Sequence, residues 1–168
     1  MIRLWPMSRR RNDAGIGDTL KTLVLGIGNP ILTDDSVGLK VVRLIKDCRP
    51  GLDVVEACSG AMGLFDYVID QDRVILIDSI KTENGVPGEV YRMRIDDLNP
   101  TMKQHSSHGL DIASALKIGE GLGYKMPESV NIYAIQVKDN LRFGEECTAE
   151  VARRIPLIAQ EIIEEEDL

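Results

Sequence analysis

Two rhythms of apolar and polar residues alternate along this chain. Leu23-Val24-Leu25-Gly26-Ile27-Gly28 is a continuous apolar run and predicts a strand covered on both faces. Ser36 to Cys48 places Val37, Val41, Leu44 and Ile45 at helical spacing, so one face of a helix is apolar. Asp53 to Cys58 predicts a second strand, Met62 to Ile69 a short helix, and Arg73-Val74-Ile75-Leu76-Ile77-Asp78 a third buried strand. Glu89 to Ile95 alternates Val90, Tyr91, Met93 and Ile95 with polar residues, as a half-exposed strand does. His108 to Leu122 carries Leu110, Ile112, Ala115 and Leu116 in helical spacing, Val130 to Val137 reads as a fifth strand, and Thr148 to Glu166 as a long amphipathic helix. In that last helix Val151, Ile155, Ile158, Ile162 and Ile163 form a stripe suited to packing on the protein's own sheet. Pro156 within it predicts a kink, and Glu164 to Asp167 a solvated acidic end.

The order β-α-β-α-β-β-α-β-α predicts an α/β domain with helices covering a mostly parallel sheet. Only Ser79 to Gly88 separates the third and fourth strands, with Glu83-Asn84-Gly85 and Pro87-Gly88 as turn signals. A parallel crossover needs a dozen or more residues, so the fourth strand is predicted to run antiparallel to the third. Residues 22–168 read as one domain. Residues 1–21 read as an N-terminal extension, in which Ser8-Arg9-Arg10-Arg11 lacks the apolar run of a signal peptide and Met7 is an alternative start.

Composition narrows the function classes. A formal net charge of −7 argues against a nucleic-acid binder, and an aromatic content of 4% supplies no stacking platform for bases. The apolar runs are strand-length, so no membrane-spanning helix is expected. Cys48, Cys58 and Cys147 are odd in number and widely spaced, which predicts neither disulfides nor a structural zinc site and fits a reducing cytoplasm. A monomer is expected.

Ligands in open α/β sheets sit beyond the carboxyl ends of the strands. Asp34-Asp35 falls there after the first strand and Asp78 at the exit of the third, while His108 closes the loop Asn99–Ser107 and opens the next helix. Two carboxylates and an imidazole on separate loops can converge on one divalent cation, which can polarise a carbonyl or activate water. Each residue also has a plain structural reading. Asp34 and Asp35 can cap the first helix and oppose its dipole, Asp78 can hold a turn, and His108 can simply start a helix. Gly26-Ile27-Gly28-Asn29-Pro30-Ile31 approaches a dinucleotide fingerprint, but Ile31 replaces the third glycine and Pro30 removes an amide that a pyrophosphate would use. Neither a GxSxG elbow nor an HExxH helix is present.

The run Leu25-Gly26-Ile27-Gly28-Asn29-Pro30-Ile31-Leu32-Thr33-Asp34-Asp35-Ser36-Val37-Gly38 resembles the N-terminal signature of the nickel-iron hydrogenase maturation proteases. Val74 to Ile80 resembles their central strand ending in aspartate, and Ser106-Ser107-His108 their Ser-x-His loop. Ala134 to Val137 and Thr148 to Val151 fall where that family has its last core strand and the start of its final helix. The resemblance runs from about Thr22 to Ile163. It implies a three-layer α/β/α sandwich with a five-stranded mixed sheet, strand four antiparallel. It also implies that Asp35, Asp78 and His108 contact nickel, and that they do so while a C-terminal extension is removed from a hydrogenase large-subunit precursor. The nickel implied is the precursor's own, so the free protease need not carry a metal. Two departures stand out. Asp35 occupies a position where many relatives have Glu, and Cys58-Ser59-Gly60-Ala61 stands where relatives often show Asp-Gly-Gly-Thr. Two other readings are a non-catalytic binding module for a nucleotide or for the precursor, and a peptidase with a different protein substrate.

Overall fold

A computed structural model describes residues 20–58, 61–95 and 107–168, with side chains described for 20–58, 63–95 and 112–168. Five strands, β1 (Thr22–Ile27), β2 (Asp53–Ala57), β3 (Arg73–Ile80), β4 (Val90–Arg94) and β5 (Ser129–Gln136), form one sheet in the order β2-β1-β3-β5-β4. The pairs β1–β2, β1–β3 and β3–β5 are parallel and β4–β5 is antiparallel. Helices α1 (Val37–Cys48), α2 (Ala61–Val68), α3 (Ser107–Gly121) and α4 (Ala149–Glu165) complete the domain.

Alternation along the strands sorts the core into two faces. Val24, Ile75, Ile77, Tyr133 and Ile135 pack with Val37, Val41, Val42 and Ile45 of α1 and with Val151, Ile155, Ile158, Ile162 and Ile163 of α4. Leu23, Leu25, Val74, Leu76, Val130 and Ile132 pack on the other face with Leu64 of α2 and Ile112 of α3. The result is the predicted α/β/α sandwich. Each aliphatic side chain fully withdrawn from water contributes about 1.5–3 kcal/mol, so the α1 stripe alone explains why that segment is helical and docked. All of the α4 stripe named from the sequence is buried, and α4 runs continuously through Pro156.

The fourth strand runs opposite to the third, as its short connection requires, but it is not its neighbour. β5 lies between them, and β4 pairs with β5 from Val90↔Ile135 to Arg94↔Asn131. Residues 81–89 cross the end of β5, where the Gly88 amide donates to the Gln136 carbonyl at 2.8 Å and the Gln136 amide to that of Glu89 at 2.8 Å.

In the acidic C-terminus Glu164, Glu165 and Asp167 are exposed as expected, but one residue corrects the expectation. Glu166 is buried at 8% exposure rather than solvated. Its carboxylate accepts from Asn131 Nδ2 at 3.0 Å for each oxygen and from the Tyr133 hydroxyl at 2.5 Å, and it pairs with the Arg73 guanidinium. Charge runs are usually solvated because charge is costly to bury. Here a guanidinium from the first residue of β3, and an amide and a hydroxyl from the third and fifth residues of β5, meet that cost.

Candidate functional site at the carboxyl edge of the sheet

The site begins where β1 stops and β3 does not. The β1–β3 ladder ends at Gly26↔Ile77, whereas β3 continues through Asp78, Ser79 and Ile80, paired with Ala134, Ile135 and Gln136 of β5. Asp78 therefore lies inside a strand, two residues before its end, and not at the exit predicted. On the side that β1 leaves, the chain passes through Gly28 into a 3-10 turn, Thr33–Ser36, and then into α1. Close approach dictates the glycines there. A Cβ at Gly28 would lie 2.0 Å from the Asp35 carbonyl oxygen, and one at Gly38 would lie 2.5 Å from the carbonyl oxygens of both Ile27 and Ile77. Gly28, one of the two glycines that suggested a dinucleotide fingerprint, thus lets the 3-10 turn lie against the end of β1, and Gly38 lets the first turn of α1 sit on the strand ends.

Thr33 leads into the two aspartates with φ of 28°, a conformation a β-branched residue rarely adopts. Its amide donates to the Gly144 carbonyl at 2.8 Å and its hydroxyl to the Arg142 carbonyl, so the loop after β5 holds it there. The aspartates that follow take different tasks. Asp34 is fully buried. It accepts the Thr148 amide at 2.6 Å, the Lys138 and Asp139 amides at 3.0 Å each, and the Thr148 hydroxyl at 3.0 Å. It therefore ties the β5–α4 loop and the start of α4 to the 3-10 turn. Neither aspartate caps α1: the residue before that helix is Ser36, whose hydroxyl donates back to the Thr33 carbonyl at 2.7 Å.

Asp35 is half-buried and turns toward β3. One carboxylate oxygen accepts the Asn29 amide at 2.9 Å, and the other accepts the Ser79 hydroxyl at 2.6 Å. Asp78 is fully buried, and its Oδ1 accepts the Ser79 amide at 2.7 Å. Bond directions explain this last contact. The Val137 amide donates to the Ile80 carbonyl, so even-numbered residues of this stretch face β5 and Ser79 faces the side that β1 has left. Its amide has lost a ladder partner there, and the carboxylate of Asp78 takes the donor.

Two of the three predicted site residues are thereby brought to one edge. Asp35 and Asp78 sit on either side of the end of β3, each bonded to Ser79. His108 lies in the first turn of α3, on the sheet face toward which alternation directs Asp78. The His108 side chain lies outside the described residues, as do His105, Ser106, most of the loop Asn99–Ser107, and Ser59 and Gly60. No group of three metal-ligating side chains occurs among the described residues. Cys58 is exposed and Cys147 half-buried, both as free thiols; burial raises the Cys147 thiol above its ordinary range, which disfavours the thiolate. Reading the sequence for titratable groups overlooked Ser79. The signal was available: strand alternation puts the residue after Asp78 on the α1 face, where the turn carrying Asp35 arrives.

Fold and site together define a class: a three-layer α/β protein with paired carboxylates where the first and third strands end. Residues 39–165 match the sequence family described as HycI, hydrogenase maturation protease. The chain belongs to the hydrogenase maturation protease family. Asp78 and His108 fall inside the matched stretch, and Asp35 just before it. Among curated relatives, the hydrogenase 2 maturation protease of Escherichia coli K12 is 29% identical over 101 residues, 58% of this chain; the chain spans 62% of that relative's length. The hydrogenase expression/formation protein HupD of Rhizobium leguminosarum is 25% identical over 142 residues, 81% of this chain and 69% of the relative. Among solved structures, the [NiFe] hydrogenase maturation protease HybD of Thermococcus kodakarensis superposes with a TM-score of 0.70 at 25% identity, covering 88% of this chain and 99% of that one. The E. coli maturating endopeptidase HybD gives 0.71 at 20% identity, covering 88% and 93%, and shows the same fold. No helix among the described residues is long and apolar enough to cross a membrane.

Proposed function

We propose that this protein is an endopeptidase that removes the C-terminal extension of a nickel-loaded hydrogenase large-subunit precursor. It would read the precursor's nickel through Asp35, Asp78 and His108. The observation that carries the reading is the placement of Asp35 and Asp78 at one strand end, joined through Ser79, in a chain of the hydrogenase maturation protease family. Two carboxylate oxygens and an imidazole nitrogen form a donor set that suits a divalent first-row ion and leaves positions for the precursor's own ligands. Asp35, half-buried, offers the more accessible donor, and Asp78 is fully buried. Nickel held there would supply Lewis-acid polarisation of the scissile carbonyl or activation of water. The chain's own contribution is to hold the two carboxylates at fixed positions while the precursor docks over the carboxyl edge. The protein would act as a monomer in the cytoplasm.

Cleavage of nickel-loaded and nickel-free precursor by the wild type and by Asp78→Asn tests this. Wild type should process only the loaded form, and Asp78→Asn should lose at least about a hundredfold in rate with its melting temperature nearly unchanged. Equal processing of both precursors by both proteins would sink nickel recognition. Failure of the wild type to cut the loaded precursor would sink the peptidase reading.

A further inference from the structure

We infer that Ser79 is a positioning residue: its hydroxyl and amide fix Asp35 and Asp78 relative to each other across the end of β3. Successive residues of a strand point to opposite faces, so Asp78 and Ser79 cannot share a face. Asp35 arrives on the α1 side, where it meets the Ser79 hydroxyl at 2.6 Å; Asp78 takes the amide of the same residue at 2.7 Å. One residue therefore bonds both carboxylates, one through its side chain and the other through its backbone.

The two bonds differ in what they leave free. The amide belongs to the backbone of β3, which the ladder to β5 holds through the residues on either side of Ser79. The hydroxyl can be deleted. An O–H donor on an ionised carboxylate at 2.6 Å lies in the range of short, charge-assisted hydrogen bonds. The second contact of Asp35 comes from the Asn29 amide, six residues away in its own turn, and ties only Oδ2. Without the hydroxyl, the carboxylate keeps one anchor and regains freedom to rotate among its staggered wells. Ser79 is 6% exposed, so water does not readily take the place of its hydroxyl. A reacting group held in a productive geometry is worth orders of magnitude in rate, and a displacement of about an ångström loses much of that.

The part of this inference that concerns catalysis rests on the peptidase reading above; the part that concerns geometry does not. Ser79→Ala and Ser79→Thr are to be compared with the wild type in two measurements. The first is the Asp35 χ1 distribution, from side-chain three-bond couplings in solution. Wild type and Ser79→Thr should show one rotamer, and Ser79→Ala a mixture. The second is processing of nickel-loaded precursor. Ser79→Ala should lose about tenfold in kcat with KM changed less than about twofold, and Ser79→Thr should recover most of the loss. A single Asp35 rotamer in Ser79→Ala overturns the inference whatever the activity, and so does a rotamer mixture that leaves kcat unchanged. Should wild type fail to cut the precursor, the endopeptidase reading falls and the rotamer measurement alone decides the role of Ser79. Matching melting temperatures would show that the variants fold; were Ser79→Thr too bulky to fold, Ser79→Ala and its rotamers would still decide.

Discussion

Carboxylates gather at both ends of this sheet, and the difference between the two groups separates a structural acid from one available to a ligand. At the amino-terminal side, Glu166 faces the Arg73 guanidinium, the Asn131 Nδ2 at 3.0 Å from each of its oxygens, and the Tyr133 hydroxyl. At the carboxyl edge no Lys or Arg among the described residues pairs with Asp34 or Asp35. An ionised carboxylate offers about four acceptor sites. Glu166 fills them with a cation and neutral donors, and Asp34 fills them with three amides and a hydroxyl. Asp35 has an amide and a hydroxyl, is half-buried, and keeps acceptor capacity for a cation from outside. A saturated, buried carboxylate holds the fold together. One that is oriented, unsaturated and uncompensated can do chemistry.

The largest effect should come from breaking the saturated end. Glu166→Ala leaves the Arg73 guanidinium, the Asn131 amide and the Tyr133 hydroxyl without their shared acceptor. Removing one partner from a buried ion pair costs about 3–5 kcal/mol. Denaturant unfolding should show a loss of that size. Precursor processing by the folded fraction should stay within about twofold of wild type, because this cluster lies at the other end of the sheet. A large loss of turnover with stability intact would reverse the assignment of the two ends.

The fold was largely legible because its signals are local. Buried strands read as Leu23–Gly28 and Arg73–Asp78, the α1 and α4 stripes read at helical spacing, and the short 79–88 connection gave the direction of β4. Which strand β4 pairs with was not legible, since a short loop fixes direction but can pass over one neighbour. The site was legible in part. Predicted strand ends marked Asp35 and Asp78, although β3 runs two residues past Asp78, and the family-like motif raised them above Asp34. The division of labour between Asp34 and Asp35 was hidden, because it depends on amides of residues 138, 139 and 148 that reach Asp34 only in the folded chain. Glu166 was misread for the same reason. Its partners, Arg73, Asn131 and Tyr133, are distant in sequence, and a run of acids at a terminus carries no local sign that one of them turns inward.

Asp35→Asn sharpens the contrast at the carboxyl edge. The amide oxygen can still accept the Asn29 amide, and Nδ2 can donate to the Ser79 hydroxyl oxygen in place of accepting from it, so both contacts can be kept while the charge is lost. A melting temperature within a few degrees of wild type is expected, together with about a tenfold loss in processing of nickel-loaded precursor. The contrast with Glu166→Ala, which destabilises without impairing turnover, is the point of the pair. Were Asp35→Asn to unfold the protein and leave turnover per folded molecule unchanged, Asp35 would belong with Asp34 among the structural acids.

The smallest effect concerns Tyr133 and its response to pH. Burial, then the hydrogen bond and charge of Glu166, raise the Tyr133 hydroxyl far above its ordinary range. The protonated phenol is thus favoured in the folded state relative to the unfolded chain. The stability linked to that preference is fully present below the ordinary tyrosine value of about 10 and is lost as pH rises beyond it toward the raised value. Tyr133→Phe removes the donor to Glu166 but leaves Arg73 and Asn131 on that carboxylate, so a loss of about 1 kcal/mol is expected near neutral pH. The variant should also lose part of the wild type's decline in stability above about pH 10, so the two curves should converge as the solution becomes alkaline. Parallel curves through that window would mean that Tyr133 does not report on the Glu166 cluster. The amino-terminal end would then be held by the ion pair and Asn131 alone.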